Sequence, residues 1–138
     1  MKKKSVVAVR KKQKAKLEKE CKALWHKVVC KNANGIVEIQ SVPKENKTQP
    51  LRLCGHHIVR DGNCAILRYD PQNGAWVDYY EHCKIHNCGD IELKAILVKK
   101  RGVEWLNYLA QKKIENEGFQ WTIELLEKQR ELLLQMLA

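Results

Sequence analysis

Two segments, Leu53-Cys54-Gly55-His56-His57-Ile58-Val59 and Glu81-His82-Cys83-Lys84-Ile85-His86, hold four of the chain's five histidines. His82 and His86 are four residues apart, so on a helix both imidazoles project from one face, a common way to hold a metal ion. Alone, such a pair is also what a solvated helix face can carry. The adjacent His56-His57 changes the reading, because it sits on a predicted strand leading into a turn-rich loop. That loop carries Asp61-Gly62-Asn63 and Asp70-Pro71-Gln72-Asn73-Gly74. Neighbours on a strand face opposite ways, so His56 and His57 can share one site only if the strand ends or bulges there. Gly55 permits that distortion.

Working outward, Leu17, Cys21, Leu24, Trp25, Val28 and Val29 form one apolar stripe at helical spacing, which predicts a helix over about 10–31. Asn34-Gly35 suits a left-handed stop. Residues 36–42 then alternate apolar and polar, residues 43–50 read as a polar loop, and residues 51–58 as a second strand. Together these predict a β-hairpin with a long connection, held by Ile36, Ile39, Leu51, Leu53 and Trp76. The loop runs over 59–74, and a short helix is expected from Trp76 to Asn87. Asp90 is an expected N-cap for Ile91–Arg101, Gly102 interrupts before Val103–Glu115, and Thr122 caps a final helix from Ile123. The fold class is α+β in three parts: a basic tail and helix (1–31), a β-hairpin core ending in a helix (32–89), and a helical extension (90–138). The last helix carries Leu125, Leu126, Leu132, Leu133, Met136 and Leu137, a face suited to packing on the domain or on a second copy as a homodimer.

The length of 138 residues fits one domain, with 44% hydrophobic and 30% charged residues. No apolar run approaches the roughly 18 residues of a membrane span, and the apolar stretch Val6–Val9 is too short for a secretory h-region. A cytoplasmic protein that does not enter membranes is expected. The net charge of +10 is unevenly placed: residues 1–31 hold 12 Lys/Arg against Glu18 and Glu20, while the rest balances 14 against 14. Such a segment attracts a polyanion, since each neutralised phosphate releases a counterion. A merely solvated face is the plainer alternative.

The six cysteines, at 21, 30, 54, 64, 83 and 88, include no Cys-x-x-Cys pair. Reduced, mostly buried thiols are expected in the cytosol. A metal cluster of Cys54, Cys64, Cys83 and Cys88 is the alternative.

The ordered set His56-His57, then Leu67-Arg68-Tyr69-Asp70-Pro71-Gln72-Asn73, then His82-x-x-x-His86 resembles the HNH, or ββα-metal, endonuclease superfamily. Leu24-Trp25, Arg101-Gly102-Val103-Glu104-Trp105 and Trp121-Thr122-Ile123-Glu124-Leu125 look like phage-encoded members, and the helical tail is similar to that of NinG-type recombination nucleases. The resemblance covers roughly residues 20–137. It implies a ββα-metal core and a metal-dependent hydrolase cleaving DNA, in the host cytoplasm if phage-encoded. His57 would be the general base, with Asn73 fixing the loop and orienting it. One divalent ion, Zn, Ni, Co, Mn or Mg, would be held by His56, His82 and His86, with three imidazoles favouring a transition ion. Arg52, Arg60, Arg68, Lys11, Lys12 and Lys14 are the expected phosphate contacts.

Many relatives hold a structural zinc with two Cys-x-x-Cys pairs, where this chain has Val37, Gln40, Asp78 and Glu81. Val37 cannot bind zinc, so no structural zinc is expected. Colicin-type nucleases of the same superfamily also lack those cysteines. The alternatives are a catalytically inactive HNH fold acting as a DNA-binding or assembly module, and a basic helical protein that binds a partner through its C-terminal helix.

Overall fold

The computed structural model describes residues 5–39, 53–60, 62 and 64–138. It is an α+β chain of five helices and a two-stranded antiparallel sheet among the described residues. The helices are α1 (Val6–Asn32), α2 (Tyr79–Cys88), α3 (Ile91–Arg101), α4 (Val103–Glu115) and α5 (Ile123–Leu137); the strands are β1 (Leu53–His57) and β2 (Gly74–Asp78). No helix is long and apolar enough to cross a membrane among these residues.

Helix α1 begins one turn earlier than the apolar stripe requires and stops where expected, with Asn34 at φ 54° and Gly35 at φ 70° in the left-handed region. It buries Leu17, Cys21, Trp25, Val28 and Val29. Leu126 and Leu133 of α5, with Tyr69 and Trp121, complete this core, so the leucine-rich C-terminal face packs on α1. Leu132, Leu134 and Met136 stay exposed. A second core lies across the sheet, where Ala75, Val77, Ile58 and Leu67 meet Ile85, Leu93, Leu97, Trp105 and Leu109. Thr122 accepts from the Leu125 amide at 3.2 Å, as an N-cap should. Asp90 makes no such cap and instead pairs with Lys94 at 3.2 Å.

The sheet corrects the expected hairpin. Among the described residues β1 pairs with Gly74–Asp78 and not with 36–39, and the helix starts at Tyr79, three residues later than expected, so Trp76 lies on a strand. Of 36–42 only 36–39 are described, and they follow the other edge of β2. Glu38 donates its amide to the Trp76 carbonyl at 2.8 Å, and its carboxylate accepts from the Trp76 amide at 3.0 Å. Arg101 holds that buried carboxylate at 2.9 Å and also donates to the Gly74 carbonyl at 2.9 Å. Ile36 and Leu53 are exposed and hold no hairpin together, whereas Ile39 and Trp76 do pack on the two cores. Gln40, Leu51 and Arg52 lie outside the described residues.

Pairing of Gly55 with Trp76 and of His57 with Gly74 puts these four residues on one sheet face; Cys54, His56, Ala75 and Val77 occupy the other. The glycines let α1 lie close. A Cβ on Gly55 would stand 2.8 Å from His26 Nδ1 and 2.9 Å from the Trp25 ring, and one on Gly74 would overlap Val29 and Trp25.

Candidate metal centre and the second histidine

Several backbone carbonyls of the segment between the strands accept hydrogen bonds from outside it. Side chains from distant elements supply the donors. Trp25 Nε1 donates to the Asp70 carbonyl at 2.8 Å, Trp105 Nε1 to Gln72 at 2.7 Å, and Trp121 Nε1 to Ala65 at 2.7 Å. Gln129 donates to Tyr69 at 2.8 Å. Asn73, fully buried, closes the loop from within: its Oδ1 accepts from the Val59 amide at 2.7 Å, and its Nδ2 donates to the Val59 and Leu67 carbonyls at 3.0 and 3.1 Å. All these bonds go to loop backbone, so Asn73 acts on the shape of the loop.

What the loop presents is the Arg68 carbonyl, 2.7 Å from His57 Nε2. A carbonyl only accepts, so Nε2 carries the proton and the lone pair of the neutral ring is at Nδ1. The other constraint on His57 is Trp25, stacked on the imidazole at 3.9 Å between centroids with 3° between planes. His57 is the last residue of β1, so the strand ends at the pair of adjacent histidines.

His56 points to the opposite face, towards α2. Asp78 accepts from the Glu81 amide at 2.7 Å and caps α2, which fixes the direction in which His82 and His86 project. Asp78 and Glu81 are both buried, and Asp78 Oδ2 and Glu81 Oε2 have no hydrogen-bond partner among the described residues. His56 Nδ1 lies 3.2 Å from His82 Nδ1, and His86 Nε2 lies 3.1 Å from His82 Nε2. One ligand atom from each of the three histidines can be chosen so that all lie within 4.8 Å of one another. Nitrogens bound to one ion at 2.0–2.1 Å in tetrahedral geometry stand about 3.3–3.4 Å apart. The two short distances use different nitrogens of His82, so the three rings lie close enough to bind one ion once a single His82 nitrogen is turned to it.

The protonation of this cluster agrees. Burial, then His82 and His86, push the His56 pKa down to about 4, and burial followed by His86 and His57 lowers that of His82. Both rings are held neutral, the form that binds metal. Cys54, Cys64, Cys83 and Cys88 do not gather into a ligand set among the described residues. Only Cys21 and Cys64 are buried, against the expectation that most would be, and Cys88 is exposed.

A cleft of about 260 Å³ opens beside the histidines, lined by His56, His57, Arg60, Asp90, Lys94 and Lys113 among others. Arg60 is thus at the site. Arg68 contributes its carbonyl, and Arg52 is outside the described residues. Lys94 and Lys113 come from α3 and α4 and had no signal in the sequence beyond being basic. A larger cavity of about 490 Å³ lies apart from the histidines, between Ala65, Ile114 and Phe119. Among the lysines expected to meet phosphate, Lys11 and Lys12 are exposed on α1, while Lys14 pairs with Glu18 at 3.9 Å.

Two residues at this centre were not singled out from sequence as parts of it. Trp25 was read as core and is also the wall behind His57. His26 accepts from the Gly55 amide through Nδ1 at 3.1 Å, and burial, then His57, lowers its pKa. Their place on the edge of a basic helix, and for Trp25 the Leu24-Trp25 resemblance, were the signals in the sequence. Comparison of the chain with protein-family models, with curated proteins and with solved structures finds no match in any of the three.

Proposed function

We propose that this chain is a metal-dependent DNA endonuclease of the HNH, or ββα-metal, type. One observation carries the reading. A strand, a loop, a strand and a helix, in that order, gather His56, His82 and His86 on one side of β1 and leave His57 at its end with a fixed tautomer. That order supports the ββα reading. The basic N-terminal helix and the basic residues at the cleft supply what a phosphodiester substrate needs.

His56, His82 and His86 would hold the ion; when bound it supplies Lewis-acid stabilisation to the phosphoryl oxygens and to the leaving alkoxide. An all-imidazole set favours zinc, nickel, cobalt or manganese over magnesium. His57 takes the proton of the attacking water at Nδ1 as the oxygen bonds to phosphorus and the bond to the leaving oxygen breaks. The Arg68 carbonyl and the Trp25 face both stabilise the imidazolium that results. Asn73 is a positioning residue, holding the Leu67 carbonyl next to Arg68. Arg60 and Lys113 orient phosphates around the cleft, where Lys94 is already paired with Asp90 at 3.2 Å.

The test is cleavage of supercoiled plasmid with Mn²⁺, Ni²⁺, Zn²⁺ or Mg²⁺, beside an EDTA control. Metal-dependent nicking or linearisation by the wild-type protein is expected. No cleavage with any metal, on plasmid or on branched DNA, would leave an HNH-like fold that binds DNA or a partner without cutting.

A further inference from the structure

Helix α1 is amphipathic in an unusual sense: its apolar side is used up inside the molecule. Leu17, Cys21, Trp25, Val28 and Val29 are buried against α5 and the sheet. The opposite side carries Lys12, Lys16, Lys19 and Lys22, all exposed, followed by the half-buried His26. Their spacings of three and four residues align them along one side of the helix. The two acids of the helix border this row and are both engaged elsewhere, Glu18 with Lys14 at 3.9 Å and Glu20 with Arg130 at 2.9 Å. None of the four lysines has an ion-pair partner among the described residues. The row does not end in solvent. It ends at His26, whose ring is fastened to β1 by the Gly55 amide, one residue before His56. Because that amide donates to Nδ1, the neutral ring carries its proton at Nε2, an N–H available to an acceptor.

We propose that this row is a track for the phosphates of one strand of duplex DNA, and that His26 holds the phosphate nearest the catalytic centre through Nε2–H. The track can be tested without catalysis; the placing of its end at a reaction site rests on the nuclease reading. From Lys12 to His26 the helix rises about 21 Å, the axial length of roughly six base pairs of duplex at about 3.4 Å each. A straight helix offering charge at regular intervals suits a stiff duplex. It does not suit a bilayer, because an interfacial helix needs its apolar side facing lipid. The assignment moves the expected contacts along α1: Lys14 belongs to the intramolecular side, and Lys16, Lys19 and Lys22 join Lys12.

The test uses fluorescence anisotropy with a labelled duplex of roughly 24 base pairs, in EDTA, over a range of KCl concentrations. Each phosphate neutralised contributes about 0.9 to the slope of log K against log salt. The double variant Lys19→Gln/Lys22→Gln should lose about 2 from that slope. The charge-matched control Lys99→Gln/Lys128→Gln, on other helices, should lose less than half a unit. His26→Asn keeps an acceptor for the Gly55 amide but has no Nε2–H, and should weaken binding by roughly 10-fold with an unchanged thermal melt. Equal slopes for the stripe variant and the control would overturn the track, as would tighter binding to a duplex RNA or to anionic phosphatidylserine vesicles. Wild-type affinity in His26→Asn would overturn the role of its end. Failure of the nuclease reading would appear separately, as absence of plasmid cleavage by a protein whose stripe still sets the salt slope.

Discussion

The two sides of β1 are built in different ways, although His56 and His57 are adjacent. On the His56 side the site is local: α2 follows β2 directly, a capped first turn aims it, and two histidines one turn apart meet the strand. On the His57 side the acceptor is near in sequence, 11 positions on at Arg68, but the groups that fix the ring and the loop are distant. Its stacking partner, Trp25, lies 32 positions earlier on α1, and its hydrogen-bond acceptor belongs to a loop tied down by indoles from α1, α4 and the segment before α5. A cluster able to hold a metal ion can thus be encoded in one strand and one helix, whereas the setting of His57 draws on α1, α4 and the segment before α5. The comparison predicts that damage on the His56 side removes metal, while damage on the His57 side leaves metal bound and removes chemistry.

The largest expected effect is at His57, the proposed base. His57→Ala should lower the rate of DNA cleavage by about 10²–10⁴-fold, the usual worth of a general base, with metal stoichiometry unchanged by isothermal titration. His82→Ala should instead abolish metal binding and cleavage together. Next in size is Trp25→Ala, which empties a fully buried site and should cost about 3–5 kcal/mol in urea denaturation, with residual folded protein still binding metal but cutting poorly. If that variant cut normally, the stack would have no part in orienting His57.

Smaller effects sharpen the same contrast. Gly55→Ala forces a methyl group against His26 and Trp25 and should cost about 1–3 kcal/mol. The pH dependence of the metal-free protein reports on the other side. Folding lowers the His56 pKa from 6.5 to about 4, so between those values the unfolded chain binds the proton better than the folded one. Stability is therefore full above pH 6.5 and falls as pH drops towards 4, by about 2–3 kcal/mol. His56→Ala should flatten that part of the profile in thermal melts at several pH values. Smallest, Thr122→Ala should cost about 1 kcal/mol through loss of the α5 cap and leave metal affinity untouched.

The same contrast explains what the sequence made legible. The i, i+4 histidines, the paired His56-His57, and helices α1, α3, α4 and α5 are regular or local features, and each could be read from spacing. The partner of β1 could not. Gly74-Ala75-Trp76-Val77-Asp78 is a five-residue strand whose small residues exist to admit α1 on one face and the second core on the other. It shows no β-branched alternation, and its tryptophan reads as the start of the helix that follows. Residues 36–39 do alternate, yet Glu38 spends its carboxylate on Arg101 and the edge of β2, a contact spanning 63 positions. Trp25 behind His57 was hidden for a related reason: a buried tryptophan on an apolar stripe has core packing as its sufficient explanation.

The central claim is that one face of β1 holds a metal ion and the end of the strand supplies the base. It is tested most directly by single-turnover cleavage of a labelled DNA duplex with saturating His57→Ala protein, loaded with one Mn²⁺ per chain. The account predicts bound metal, bound DNA and a cleavage rate at least about 100-fold below wild type. Cleavage at the wild-type rate would contradict it, because the ion would then be acting without the histidine that the rest of the fold is arranged to hold.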